Sequence, residues 1–212
     1  MFLVGLTGNY GTGKSTVLKM FQCLGAVTYD ADQIVALLLR EEAVIKQIRN
    51  LFGEGVLRAN GSLDKKKVAA IIFAHEASRR ALEDFLHPLV FEKINRLLRQ
   101  ADNGSGIVVV ETPLLFERHY EGEFQQIITV QTQQENALDR LQKKGVRRED
   151  ALQRIQSQLP ITDKTSRSDF IINNDGTREE TELQVKNIYK KLLREGHHGD
   201  RRRSRSHRKT IP

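Results

Sequence analysis

Cysteine is nearly absent. Cys23 stands alone in 212 residues, so no disulfide can form within the chain. The fold must then be held by its core, and a single thiol suits the cytoplasm. With no basic or His neighbour in sequence, Cys23 is expected as a small buried residue of the first helix. No apolar run approaches the roughly 20 residues of a membrane span. The opening Phe2-Leu3-Val4-Gly5-Leu6 has no basic stretch before it and reads as a strand rather than a signal peptide. No internal repeat is evident. Acidic residues are missing from 201–212, which carry five Arg and one Lys and so hold +6 of the net +7. The other 200 residues are nearly neutral, and their charge points to no nucleic-acid partner. The basic tail is expected to be disordered, with RNA, an acidic membrane or nothing as its contact.

What the sequence does hold is a glycine-rich run, Gly8-Asn9-Tyr10-Gly11-Thr12-Gly13-Lys14-Ser15-Thr16. It fits the phosphate-loop pattern through Gly8, Gly13, Lys14 and Ser15, with a strand pattern before it and a helical pattern after it. Glycines let the backbone approach an anion without a Cβ in the way. Successive N–H groups then form a nest, and the new helix adds its N-terminal donors and dipole. Lys14 is placed to reach the outer phosphates, and the Ser15 hydroxyl to hold Mg²⁺.

Around this run, strand-like segments fall at 2–6, 26–29, 107–111, 127–131 and 169–172, with helical patterns between most of them. The continuous run Ile107-Val108-Val109-Val110 predicts a strand buried on both faces. The expected fold is α/β: a parallel five-stranded sheet with helices on both faces and ligands at the carboxyl ends of the strands. The gap between the second and third strands is too long for one crossover helix. Leu82, Phe85, Leu86, Leu89, Val90, Ile94 and Leu97 recur there at helical spacing, and Pro88 is expected to start a new helix or bend the old one. Asn60-Gly61 marks a turn. Residues 45–100 thus read as an inserted helical lobe, and 135–160 as an arginine-rich helical pair broken at Gly145, suited to close over phosphates. In that pair Asp139 and Lys143 are spaced for a surface ion pair.

A phosphate loop alone gives nucleotide binding and no reaction. A small-molecule kinase, a GTPase switch and an ATP-driven motor or RNA-handling protein compete. The Asn-Lys-x-Asp of GTPases is absent, and Asn173-Asn174-Asp175-Gly176 reads as a turn after the last strand. Compact length, lobe and basic arm favour a kinase. Asp30-Ala31-Asp32 follows the second strand, and its two carboxylates share a direction if extended. One can accept the proton of an acceptor hydroxyl, or the pair can cap the next helix. Position alone leaves both open.

Taken together, Leu6-Thr7-Gly8 with the phosphate loop, Asp30-Ala31-Asp32, Leu86-His87-Pro88-Leu89, Pro113-Leu114-Leu115-Phe116-Glu117, Arg140, Arg147-Arg148-Glu149, Gln158 and Asp169-Phe170-Ile171-Ile172-Asn173-Asn174 resemble the dephospho-coenzyme A kinase family, in family order over about residues 2–190. The resemblance implies transfer of the ATP γ-phosphate to the 3′-hydroxyl of the dephospho-CoA ribose, giving CoA and ADP in the cytoplasm. It implies a nucleotide-binding core (1–44, 101–134 and 161–195), a CoA-binding lobe (45–100), a lid (135–160) and, outside the family pattern, the tail 196–212. Carried over by position, Gly11, Thr12, Gly13, Lys14, Ser15 and Thr16 hold ATP. Lys14, Asp32 and Arg140 are catalytic, with Asp32 the base and Arg140 the brace on the phosphates. Ser15 ligates Mg²⁺, and Thr7, Asp32, His87, Pro113 and Leu114 face the acceptor. The implied partners are these two substrates, with no membrane, and a monomer or weak homo-oligomer. Glu111 stands where the family usually has Asp, and Lys144-Gly145 replace the Arg-Asp or Arg-Asn of the lid. Lys cannot make the two-pronged contact of Arg, which implies a weaker or differently arranged closure.

Overall fold

The computed structural model describes residues 2–100 and 106–206, with the backbone alone at 98–100 and 197–206. The chain divides into two compact units, Met1–Tyr29 with Asn103–Pro212, and Asp30–Asp102.

The first unit is built on a five-stranded sheet. Its strands are β1 (Phe2–Thr7), β2 (Val27–Asp30), β3 (Ile107–Glu111), β4 (Gln126–Gln131) and β5 (Phe170–Asn173), in the order β2-β3-β1-β4-β5. The β1–β3, β1–β4 and β4–β5 pairings are parallel. All five β3 residues are buried, as a β-branched run covered on both faces requires. β1 lies at the centre. The chain fills one side of it with β2 and β3, then crosses to β4 and β5, so the loop after β1 opens at the point where strand order reverses.

Helix α1 (Lys14–Cys23) follows that loop, and α9 (Arg178–Ser206) follows β5. Their apolar faces pack on the sheet: Val17, Phe21, Val185 and Leu192 are fully buried beside Val4, Leu6 and Val130. Burying each such side chain stabilises the fold by about 2 kcal/mol. Cys23 corrects an expectation, since its thiol is exposed. It lies on the far side of α1 from Val17 and Phe21, in the wall of a cavity of about 430 Å³ between α1 and α9. The disorder expected of the basic tail is corrected in part. The α9 backbone runs on to Ser206, because Arg-rich sequence is a good helix former and the two interior glycines, Gly196 and Gly199, cost only about 1 kcal/mol each. The rest of the tail, 207–212, lies outside the described residues.

Between β4 and β5 run α6 (Gln134–Gln142), α7 (Arg148–Gln156) and the short α8 (Ile161–Ser166). The break between α6 and α7 falls at Gly145, whose φ is 82°. Leu138, Leu141 and Ala151 form a small core of their own. The ion pair across these helices is Arg148–Glu135, and among the described residues Asp139 makes none with Lys143. An exposed i,i+4 pair is worth only a few tenths of a kcal/mol, too little to hold two long side chains together.

The second unit holds α2 (Ala31–Leu38), α3 (Glu42–Phe52), α4 (Lys65–Ala74) and α5 (Glu76–Gln100). It begins at Asp30 rather than near 45 because α2 packs Ile34 and Leu38 into the helical core and contacts α5. α5 buries Leu82, Leu86, Val90 and Ile94, four residues apart along one face. It passes through Pro88 as one helix, so no new helix starts there. Pro88 and Asp84 are both exposed, so the Asp84 carbonyl that loses its partner lies on the watered side. Asn60-Gly61 makes the predicted turn, with Asn60 Oδ1 accepting from the Ser62 N–H.

Candidate active site

The loop between β1 and α1 spans Gly8 to Gly13. Three glycines are forced there, and Gly11, with φ 85°, would set a Cβ 2.9 Å from the Ala137 carbonyl oxygen. A Cβ on Gly8 would collide with the Val130 carbonyl, and one on Gly13 with the Asn174 amide, and both have positive φ. Gly13 is also the N-cap of α1 and supplies no side-chain cap. The donors of the first turn therefore face the loop with the helix dipole behind them. Lys14 is buried, and its Nζ donates to the Asn9 carbonyl at 3.1 Å. Asn9 O also accepts from Thr12 Oγ1 at 3.0 Å and Thr12 N at 3.3 Å. Thr12 is buried, whereas Ser15 and Thr16 are exposed at the start of α1.

Ser15 Oγ donates to Oε1 of Glu111, the last residue of β3, at 3.3 Å. Glu111 is buried. A hydroxyl and a carboxylate meet here beside Lys14, an oxygen-only donor pair of the kind Mg²⁺ takes up together with phosphate oxygens and water. Among the described residues there is no group of three or more His, Cys, Asp or Glu that would cage a metal without a substrate.

On the other side, Arg140 reaches in from α6. Its Nη2 donates to the Asn174 carbonyl at 2.6 Å. Its Nη1 is buried without a hydrogen-bond partner, 3.8 Å from where a Cβ on Gly13 would stand. A buried donor left open beside an anion nest fits a guanidinium that meets phosphate oxygens. Asn174 ties this side together: its Nδ2 donates to the Thr12 carbonyl at 2.8 Å, and its Oδ1 accepts from Thr181 Oγ1 at 3.0 Å. Asp175 accepts from Thr132 Oγ1, Gln133 N and Asn136 Nδ2, all through Oδ1. Burial raises the Asp175 pKa, but those hydrogen bonds and the charge of Arg140 outweigh it and hold the carboxyl below the usual range.

Behind the loop lies a buried polar link. Thr7 Oγ1 and Lys164 Nζ both donate to the Pro113 carbonyl at 3.2 Å. Lys164 is fully buried and pairs with Glu117 Oε1 at 2.7 Å. Burial pushes the Lys164 ammonium below the ordinary lysine value even against the pull of Glu117. Pro113 and Leu114 follow the end of β3 and are half-buried.

In the helical unit, one of the two aspartates is a helix cap. Asp30 is the N-cap of α2, and its carboxylate accepts from the N–H groups of Asp32 and Gln33. Asp32 stands exposed in the first turn and is not the cap. His87 is half-buried on α5, edge-on to Phe91 with ring centroids 4.9 Å apart.

The structure thus brings Thr7, Gly11 to Thr16, Arg140, Pro113 and Leu114 together in the sheet unit, while Asp32 and His87 belong to the helical unit. Sequence reasoning gave no role to Glu117, Gln158 or Asn174, although all three carry the family resemblance. It missed Lys164 outright and placed Asp175 only in a turn. A lysine buried to pair with one carboxylate looks like any surface lysine in sequence.

Comparison with known proteins agrees with this geometry. The family model for dephospho-CoA kinase (CoaE) matches residues 2–180. The chain is 35% identical to dephospho-CoA kinase of Aquifex aeolicus over 91% of its length and 98% of that protein's. It is 38% identical to that of Geobacillus kaustophilus, over 88% and 94%. The solved dephospho-CoA kinase of Campylobacter jejuni superposes with a TM-score of 0.64 at 26% identity, over 91% of this chain and 97% of that one. On these matches the chain belongs to the dephospho-CoA kinase family, transferases of coenzyme A biosynthesis.

Proposed function

We propose that the chain binds ATP in the cradle of Gly11 to Thr16 and passes its γ-phosphoryl group to the 3′-hydroxyl of the dephospho-CoA ribose. The hydroxyl oxygen attacks the γ-phosphorus, the bond to the β-bridging oxygen breaks, and ADP leaves. The hydroxyl proton goes to the Asp32 carboxylate. Two observations suit Asp32 to this: its exposure, and a cap made by its neighbour. Lys14 takes the outer phosphate charge. Arg140 Nη1 meets the transferring group, where a preorganised donor acts most strongly. Ser15 and Glu111 would hold Mg²⁺, which when bound offsets the repulsion between the phosphates and the incoming oxygen. Thr7, Pro113 and Leu114 form the acceptor wall of the sheet unit, and His87 serves the acceptor from the helical one.

The single observation that carries the reading is the Ser15–Glu111 contact at the head of α1, beside the buried ammonium of Lys14. The test is an ADP-release assay comparing dephospho-CoA, adenosine and AMP as acceptors. Dephospho-CoA should be strongly preferred. Equal turnover with AMP would make the chain a general nucleotide kinase, and acceptor-free hydrolysis stimulated by RNA would end the kinase reading. Cytoplasmic placement belongs to the same proposal; the structure adds only that, among the described residues, no helix is long and apolar enough to cross a membrane.

A further inference from the structure

We infer that Gln158 is a positioning residue for phosphate transfer: it fixes the crest of the phosphate loop and, through Asn9, the place of the Lys14 ammonium. This rests on the reading of residues 8–16 as the ATP cradle.

The crest is Asn9-Tyr10, in the first half of the loop between β1 and α1. It is held from outside, by the segment that leaves α7. Gln158 Oε1 accepts from the Tyr10 N–H at 2.7 Å, and the Leu159 carbonyl accepts from Asn9 Nδ2 at 3.2 Å. Adjacent residues thus grip adjacent residues across 148 and 150 positions of chain. The same face of the lid adds two contacts to Tyr10. The Arg154 guanidinium lies 4.3 Å above its ring, and the ring packs against the small lid core of Leu138, Leu141 and Ala151. The grip is itself anchored, since the Leu159 N–H donates to Glu117 at 3.1 Å, and Glu117 is locked by Lys164.

The consequence reaches the chemistry in one step. The Asn9 carbonyl is where Lys14 Nζ rests, and it also fixes Thr12. A peptide held at both Asn9 Nδ2 and Tyr10 N cannot rotate that carbonyl away. Catalytic groups placed on loops need such outside support, because small misplacements cost rate steeply. A residue that only kept α7 packed against the sheet would have no reason to spend its acceptor on a phosphate-loop amide.

The test compares Gln158→Met, which keeps the length and loses the acceptor, with Gln158→Glu, which keeps an acceptor oxygen. Three quantities are read on the full chain: hydrogen exchange at the Tyr10 amide without nucleotide, ATP affinity by calorimetry without acceptor, and kcat and KM for each substrate. In Gln158→Met the Tyr10 amide should exchange about tenfold faster, and ATP affinity should fall about tenfold, the size of one hydrogen bond. KM for dephospho-CoA and the melting temperature should stay close to wild type. Gln158→Glu should restore protection at Tyr10. Wild-type ATP affinity and kcat in Gln158→Met would overturn the inference, as would equal losses for both substrates that track a drop in melting temperature. Should the wild-type chain itself bind no ATP, the cradle reading fails first, whatever Gln158 does to Tyr10.

Discussion

In the sheet unit, the polar contacts around the cradle reach across the chain: Asn174 to Thr12, Gln158 to Tyr10 and Ser15 to Glu111 join residues 162, 148 and 96 positions apart. In the helical unit most of the polar contacts that can be named are local. Asp64 caps α4, Asn60 closes its own turn, and Arg80 and Arg96 pair with acids four residues back. There the apolar stripe of α5 holds the helices together. Directional bonds fix donors to within a fraction of an ångström, as phosphoryl transfer demands. Apolar packing fixes volume and tolerates exchange of similar side chains. Changes in the first unit should therefore appear in catalysis out of proportion to stability, and changes in the second mainly in stability.

The largest break is Lys14→Ala. Turnover should fall about 1000-fold, equivalent to about 4 kcal/mol of transition-state stabilisation. The melting temperature should move far less than the rate, because the apolar core on which α1 packs is untouched. Normal turnover would remove the cradle from the mechanism.

Next comes a case where the sheet unit should fail by stability. Lys164→Met leaves the Glu117 carboxylate, only 17% exposed, without its partner, at a cost of about 3 kcal/mol in denaturant unfolding. Lys164→Met with Glu117→Leu should recover part of that loss. The pH dependence has a definite sign. The folded-state pKa of Lys164 lies below the ordinary value of 10.5. Between the two, the unfolded chain keeps a proton that the folded chain sheds. The Lys164 contribution is thus complete above 10.5 and is lost as pH falls through the lowered value. Relative to Lys164→Met, wild-type stability should rise with pH over that alkaline window. A flat difference would mean that Lys164 keeps its proton as easily folded as unfolded.

Asp32→Asn reverses the expectation for the helical unit, since Asp32 is the one residue there proposed to touch the reacting atoms. Turnover should drop about 100-fold, as loss of a general base does, with ATP affinity unchanged. A variant that melts lower and turns over normally would return Asp32 to a purely structural role.

How much of this could be read in the sequence follows the same division. The five strands and the loop were legible because a β-branched run such as Ile107–Val110 and a glycine-lysine spacing are local signals. The α5 stripe was legible from its period, but the continuity of the helix through Pro88 was not, since nothing local says that its side of the helix faces water. Cys23 misled for the same reason: residue type suggests burial, and only the packing of α1 decides which face turns out. The start of the helical unit at Asp30 depends on α2 meeting α5, which spacing does not encode. Of the site, the cradle was legible. Lys164, Asp175 and the duty of Gln158 were not, because each is defined by a partner far away in sequence.

The smallest effect separates the two aspartates. Asp30 accepts from two N–H groups at the head of α2 and from the Gln33 side chain at 3.2 Å. Asp30→Ala removes a helix cap and should cost about 1 kcal/mol of stability. One of the lost bonds holds the Asp32 N–H, so Asp32 would sit less firmly, and turnover should fall by less than about tenfold. The two variants then move in opposite senses: Asp30→Ala lowers the melting point more than the rate, Asp32→Asn the rate more than the melting point. Equal rate losses in both would mean that the carboxylates act as a pair, and that the boundary between scaffold and chemistry runs through the cap itself.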